Sequence, residues 1–306
     1  MKARFGYILV WLSTIPASVL RFNTDAAEYW CARILPQVRA HQASLSSLIA
    51  FPLCDLIIFL LAAAALLCAA KRTFLPYIAA FLIFSLTLTW TAPCALSQVP
   101  DDVSPEQLHS LCGQLSEEAA YYQAQERRFD RENVLYDAAA LCSSPIVPKE
   151  CSFPAITKRL GIAGWWSPLT AEAVVDGTMG ELNLPFTACH ELMHARGIAS
   201  ESYANYLAYL ACMQGDGAFR YSGTMNALWY AMRALRTEDP AAWQQVLSGM
   251  DRCVYADFKR MNGLSEAPVG ALTAVQNAAT GLYLRISGAD DYDGFASWLV
   301  YRANFA

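Results

Sequence analysis

Apolar and polar positions divide the chain into two unlike parts. Three long apolar runs come first: 5–20 (FGYILVWLSTIPASVL), 47–70 (SLIAFPLCDLIIFLLAAAALLCAA) and 74–92 (FLPYIAAFLIFSLTLTWTA). At ~1.5 Å per residue the second run reaches about 36 Å as a helix, enough to cross a bilayer. The pattern therefore predicts a membrane region over 1–94, with spans at about 5–22, 47–70 and 74–92. The basic start of the first run also fits a cleavable signal peptide, but an uncleaved anchor is the expectation. Lys2 and Arg4 precede the first run, and Lys71 and Arg72 precede the third. The positive-inside rule puts both basic groups in the cytoplasm, so residues after about 95 are expected outside the membrane. The connection 21–46 is then expected outside as a loop, although its Arg21, Arg33 and Arg39 weaken the charge contrast. Asp55 follows Pro52, so it is expected in the first turn of its helix near the headgroups, where the helix dipole favours a negative charge.

Beyond residue 95 the apolar positions recur at helical spacing. After a polar linker at 99–103, Ser104-Pro105-Glu106 reads as a helix start. Leu108, Leu111, Leu115, Ala119 and Tyr122 then share one face of a helix expected to reach about 130. Residues 138–163 read as loop with short helical turns. Residues 171–176 form the clearest strand, ending in an Asp176-Gly177 turn. Further helices are predicted at 185–196, 201–213, 224–236, 240–249, 251–261 and 268–286. The fold class expected is mostly α, with one short β element in the second part.

Composition supports this division. The chain has 306 residues, 55% of them hydrophobic and only 16% charged, with a mean hydropathy of +0.25. A net charge of −5 excludes a basic surface broad enough for nucleic acid. Ten cysteines are present without a CxxC pair, which argues against a zinc ribbon or a thioredoxin-type site. Seven of them (94, 112, 142, 151, 189, 212 and 253) fall in the expected external part, where disulfides persist. Cys142 and Cys151 bracket a loop-like stretch and are the expected pair, whereas Cys189 is expected as a buried free thiol.

The candidate chemistry lies in TACHELMHARGIASESYANY, residues 187–206. His190 and His194 are one helical turn apart and share a face, so two imidazoles can reach one Zn²⁺. Glu191 stands one step round the helix, placed to take a proton from a water on that cation as it attacks a carbonyl. Pro185 and Gly197 delimit a short helix around this HExxH pattern. The other histidines, His41 and His109, are poor candidates for a third ligand; His109 reads as a surface residue on its helix. Glu201, beyond the glycine bend, is the best third ligand. Asn205 shares its face and is expected to orient a ligand.

HExxH followed by a separate glutamate resembles the gluzincin branch of the zincin metallopeptidases. Glu201-Ser-Tyr-Ala-Asn205 is similar to the ExxxD or ExxxN second helix of membrane-embedded gluzincins. The elements SPLTAEAVV, LPFTACHELMHARGIA, ANYLAYLAC and YSGTMNALWY resemble a family of bacterial membrane proteins catalogued as a domain of unknown function, over most of 25–236. These resemblances imply a zincin-like α+β domain over 95–306 and a zinc peptidase activity, without naming a substrate. In that family an acidic residue often stands where this chain has Tyr203, which leaves Glu201, Tyr203 and Asn205 to be distinguished. The resemblance also implies a substrate-holding edge strand, for which 171–175 is the candidate. Tyr221 is either an oxyanion donor or a structural tyrosine. The expected function is zinc-dependent hydrolysis of a peptide or protein close to the lipid bilayer by an extracytoplasmic domain. The rival is a non-catalytic zinc-binding sensor that signals through its membrane helices.

Overall fold

The computed structural model describes residues 2–69, 75–86, 89–90, 93, 103–125, 128–265 and 294–303. The expected helix at 268–286, the basic turn Lys71-Arg72, Cys94 and most of the 99–103 linker lie outside them. The described chain is mostly helical with one small sheet.

Helix α1 (Lys2–Phe22) is apolar and long enough to cross a membrane, with a mean hydropathy of 1.4 over Phe5–Phe22. The other two runs form shorter helices, α4 (Leu53–Ala69, 17 residues) and α5 (Leu75–Leu86, 12 residues). At ~1.5 Å per residue these reach about 26 and 18 Å. The second run was expected to be helical from residue 47, but residues 47–51 form turns and bends. Pro52 disfavours helical geometry before it, and the carbonyls of Ser46 and Ile49 bind Lys149 Nζ at 2.8 Å each. The connection 21–46 is helical rather than a loop. Asn23 caps α2 (Thr24–Tyr29), a π-helical turn follows at Trp30–Ile34, and α3 (Leu35–Ser46) completes it.

Helix α6 (Pro105–Ala124) opens on a reciprocal Ser104/Gln107 capping box and buries the face expected of it, Leu108, Leu111, Leu115 and Ala119. It stops at Gln125, where the backbone becomes extended, several residues before the expected end. Next come α7 (Val134–Leu141), β1 (Lys149–Glu150), α8 (Pro154–Leu160), β2 (Gly164–Ser167) and β3 (Glu172–Val175). The sheet order is β1-β3-β2, with β1 parallel and β2 antiparallel to β3. Strand β3 is therefore central. Both its edges are already paired, so it cannot take up an extended substrate, and the expectation for 171–175 is corrected: β1 and β2 are the edge strands among the described residues.

The remaining elements are α9 (Leu184–Ala195), α10 (Glu201–Cys212), α11 (Gly217–Glu238), α12 (Pro240–Gly249), α13 (Arg252–Ser265) and α14 (Phe295–Ala303). Helix α11 begins seven residues before the expected 224, because Asp216 accepts from the amides of Ala218 and Phe219 and starts the helix there. Helix α9 is the hub: every residue from Leu184 to His194 is buried, against β2, β3, α7, α10 and α11.

The expected Cys142–Cys151 disulfide does not form; both are free thiols. Cys142 ends α7 and turns toward α9, its Sγ 4.0 Å from the carbonyl of Cys189. The backbone of Cys151 instead bonds to Val175 at 2.9 Å, and its Sγ faces Thr157. Cys189 is a fully buried free thiol, as expected.

The N-terminal end of α4 is fastened to the sheet. The Glu172 carboxylate on β3 accepts from the amides of Leu53 and Cys54 at 2.9 and 2.8 Å, and Lys149 pairs with it at 2.7 Å. The carboxylate thus fills the role of an N-cap for α4. Asp55 lies in the first turn of α4 as expected. Its environment is different: it is buried and accepts from the Ser152 amide at 2.7 Å rather than facing headgroups.

Candidate metal centre

The site is assembled by one helix, one bend and the next helix. The carbonyl-to-amide bonds Gly197 N–H to His194 O and Ile198 N–H to Met193 O close α9. Gly197 sits at φ +107°, a conformation that a residue with a Cβ adopts only under strain. Ser200 then accepts from the Tyr203 amide at 3.0 Å and starts α10. Glu201 falls in its first turn and is carried back toward α9.

His190 Nε2, His194 Nε2 and Glu201 Oε2 form a triangle with sides of 3.0, 3.3 and 3.3 Å. A tetrahedral ion with bonds of about 2.05 Å needs ligand atoms about 3.3 Å apart. The triangle therefore fits three corners of such a tetrahedron, and the donor set of two imidazoles and one carboxylate suits a divalent transition metal. Among the described residues these three form a group able to hold a metal ion, all of them buried.

Two neighbours orient the candidate ligands. The carbonyl of Ile198 accepts from His194 Nδ1 at 2.7 Å, which leaves Nε2 with the lone pair in the neutral ring. Asn205 is 1% exposed and reaches the side chain of His190. His190 Nδ1 and Asn205 Nδ2 are both left without a partner. Turning the carboxamide over presents Oδ1 to the Nδ1–H and satisfies the ring. An Asn205→Ala substitution is accordingly expected to weaken metal affinity about 10–100-fold. A competition titration against a chromophoric chelator would reveal it, and an unchanged affinity would remove Asn205 from the site.

Tyr203 packs against aromatic neighbours. Its ring lies 4.8 Å from Trp298 and 6.2 Å from Tyr206, on the side of α10 that packs against α14. Tyr221 is a structural tyrosine, 1% exposed and donating to Asp257 Oδ2 at 2.7 Å. His41 is exposed and bonded to the Gln37 carbonyl, while His109 is partly buried on α6; neither joins the group.

Burial acts on every ionisable group of the centre. It pushes Glu201 up, but the neighbouring His194 and then His190 more than offset this and hold Glu201 well below the usual carboxylate range. Burial pulls His194 down, yet the Glu201 charge outweighs it and raises His194 to about 9. His190, with burial dominant, is lowered. Burial lifts Glu191 to about 8, and its Oε2 has no hydrogen-bond partner. Without a cation, His194 thus carries the proton that Glu201 holds. A metal must displace that proton, so its apparent affinity should fall about tenfold per pH unit below about 9. Calorimetric titration with zinc at pH 7 in buffers of different ionisation enthalpy is expected to show proton release; identical heats would contradict this state of the site.

Sequence reasoning missed several residues that frame the centre. A Cβ on Gly164 of β2 would stand 2.8 Å from Glu191 Oε1 and 2.9 Å from the Val174 carbonyl, so Gly164 permits the close approach of the edge strand to Glu191. Only an isolated glycine at the start of a Trp-Trp strand hinted at it. Trp90, from the third apolar run, packs edge-on to His194 at 5.7 Å and lies 5.0 Å from Trp166 on β2. Arg39 donates to the carbonyls of Ala195 and Thr89 at 3.2 and 3.0 Å.

No curated protein and no solved structure matches the chain. A family model described as "Protein of unknown function (DUF3810)" matches residues 31–300, a range that takes in the metal centre and most of the apolar helices, and the chain belongs to that family.

Proposed function

We propose that this protein is a membrane-anchored zinc peptidase of zincin-like type, with its metal centre on the outer side of the membrane. The observation that carries the reading is the convergence of His190, His194 and Glu201 on one tetrahedral face, with the unpartnered carboxylate of Glu191 on the adjoining helical position. A purely structural zinc site is closed by a fourth protein ligand; here the described residues supply three.

His190, His194 and Glu201 would hold the ion. When bound, Zn²⁺ supplies Lewis acidity, which acidifies water and polarises a carbonyl. Glu191 takes up a proton at its free Oε2 and returns it to the leaving amine; an apolar surround favours such transfer by bringing a carboxylate toward neutral pKa. Strand β2 would offer an extended peptide the edge that is unpaired among the described residues, and Gly164 keeps β2 close to Glu191. The bilayer is the second partner, through α1 and the apolar helices that follow it.

The sensor reading draws on one specific feature, the Lys149–Glu172 fastening between α4 and the strand beside α9. It gives no role to Glu191, whereas the peptidase reading requires it.

The test uses the full-length protein purified in detergent. One zinc per chain and chelator-sensitive cleavage of a randomised peptide mixture, restored by zinc, are the expected results. A protein that binds zinc stoichiometrically and cuts nothing in that mixture would favour the sensor.

A further inference from the structure

Resting on the peptidase reading, we infer that the substrate is the juxtamembrane stretch of a membrane-anchored protein, cut within a few residues of the bilayer.

The placement of the metal centre carries this. Trp90 lies near the end of the third apolar run, where an amphipathic indole suits the boundary between lipid and water. The same indole touches the ring of His194 and the indole of Trp166, so it stands where the edge strand meets the metal ligands. The arrangement is braced by Arg39, which is only 9% exposed. Its guanidinium holds the carbonyl of Thr89, just before Trp90, and that of Ala195, at the end of the metal-ligand helix, and lies 4.7 Å over Trp166. The exit of an apolar run and the end of α9 thus share one buried cation.

Two further fastenings tie the sheet to α4 and α3. The first turn of α4 is held by Glu172 and Asp55. Gln42 of α3 donates to the carbonyls of Pro168 and Leu169, in the β2–β3 connection. A peptide laid along β2 would therefore pass Trp90, near the end of the third apolar run. With ~3.3 Å gained per extended residue, a chain emerging from the bilayer reaches an ion one indole away after a handful of residues. A soluble domain on a long stalk would place its centre far beyond that reach.

The experiment places full-length enzyme in vesicles with single-span helical probes. Each probe carries a Gly/Ser spacer of about 4, 8, 16 or 32 residues, roughly 13 to 106 Å extended, and then a randomised twelve-residue segment read by mass spectrometry. A soluble copy of the segment is the fifth probe. The shortest spacers are expected to be cut at least as fast as the longest, since effective concentration falls with tether length, and the soluble copy more slowly. Cleavage of the 32-residue probe and the soluble copy, with the two shortest untouched, would overturn this inference and leave the peptidase reading standing. Zinc-loaded enzyme that cuts none of the five defeats the peptidase reading and this inference with it.

Discussion

Replacing Glu191 by Gln is expected to leave the metal bound and to lower turnover by about 10²–10⁴-fold, the range for loss of a positioned general base. The two parts of the prediction come from different features. Metal retention follows because the three converging atoms belong to His190, His194 and Glu201 and include nothing from Glu191. Loss of turnover follows because the carboxamide fills the same volume but cannot accept a proton. The buried site also favours the variant's folding: Glu191 is 5% exposed and lifted to about 8 by burial, so a neutral amide removes a desolvation cost. Metal content by elemental analysis, initial rates on the randomised peptides and a thermal melt together check the prediction. A variant as active as the parent would remove Glu191 from any proton transfer; a variant without metal would show that it helps to hold the ion.

Zinc is expected to raise the melting temperature of the parent protein and not that of Glu201→Ala or His194→Ala. A ligand at a thousand times its Kd stabilises the state that binds it by about 4 kcal/mol, a large fraction of the stability of an ordinary domain. Each of the two groups supplies one corner of a face only 3.0–3.3 Å on a side, so removing either leaves two ligands and an open site. Glu201→Ala carries a further cost before any metal is added. It strips the raised imidazolium of His194 of its counter-charge, and that proton is then lost. Melts of each variant with chelator and with zinc separate the two effects. Equal zinc-induced shifts in parent and variants would show that the ion binds elsewhere, and the peptidase reading would lose its foundation.

Gly164→Ala complements these as a positional test. Its added methyl meets a backbone carbonyl on one side, which cannot give way, so Glu191 must shift while the ligand triangle is untouched.

Local patterns were legible along the chain because they depend on spacing of a few residues. The helix with HELMH, the bend at Gly197, the cap at Ser200 and the first-turn position of Glu201 are all within-turn properties. That Glu201 and not Tyr203 turns toward the two histidines was not legible until α14 was seen to occupy the Tyr203 side of α10, since which face of a helix meets a neighbour is a long-range matter. Likewise the strand at 172–175 was legible from the Asp176-Gly177 turn that ends it, but its central place in the sheet was not. Pairing partners lie elsewhere in the chain, and a two-residue strand such as β1 has no pattern of its own.

By itself, the sequence determined where apolar segments begin, the spacing of two imidazoles and a carboxylate across a glycine bend, and the mostly helical class. Hydrophobic period and capping chemistry are encoded residue by residue, and need no partner to be read. Only the tertiary structure decided that Trp90 and Arg39 meet the HELMH helix, that Glu172 caps a helix more than a hundred residues away, that Cys142 and Cys151 stay apart, and that β2 lies at an edge of the sheet and not at its centre. Those facts arise from packing, in which buried polar groups must find partners wherever the folded chain brings them, and no local spacing specifies that.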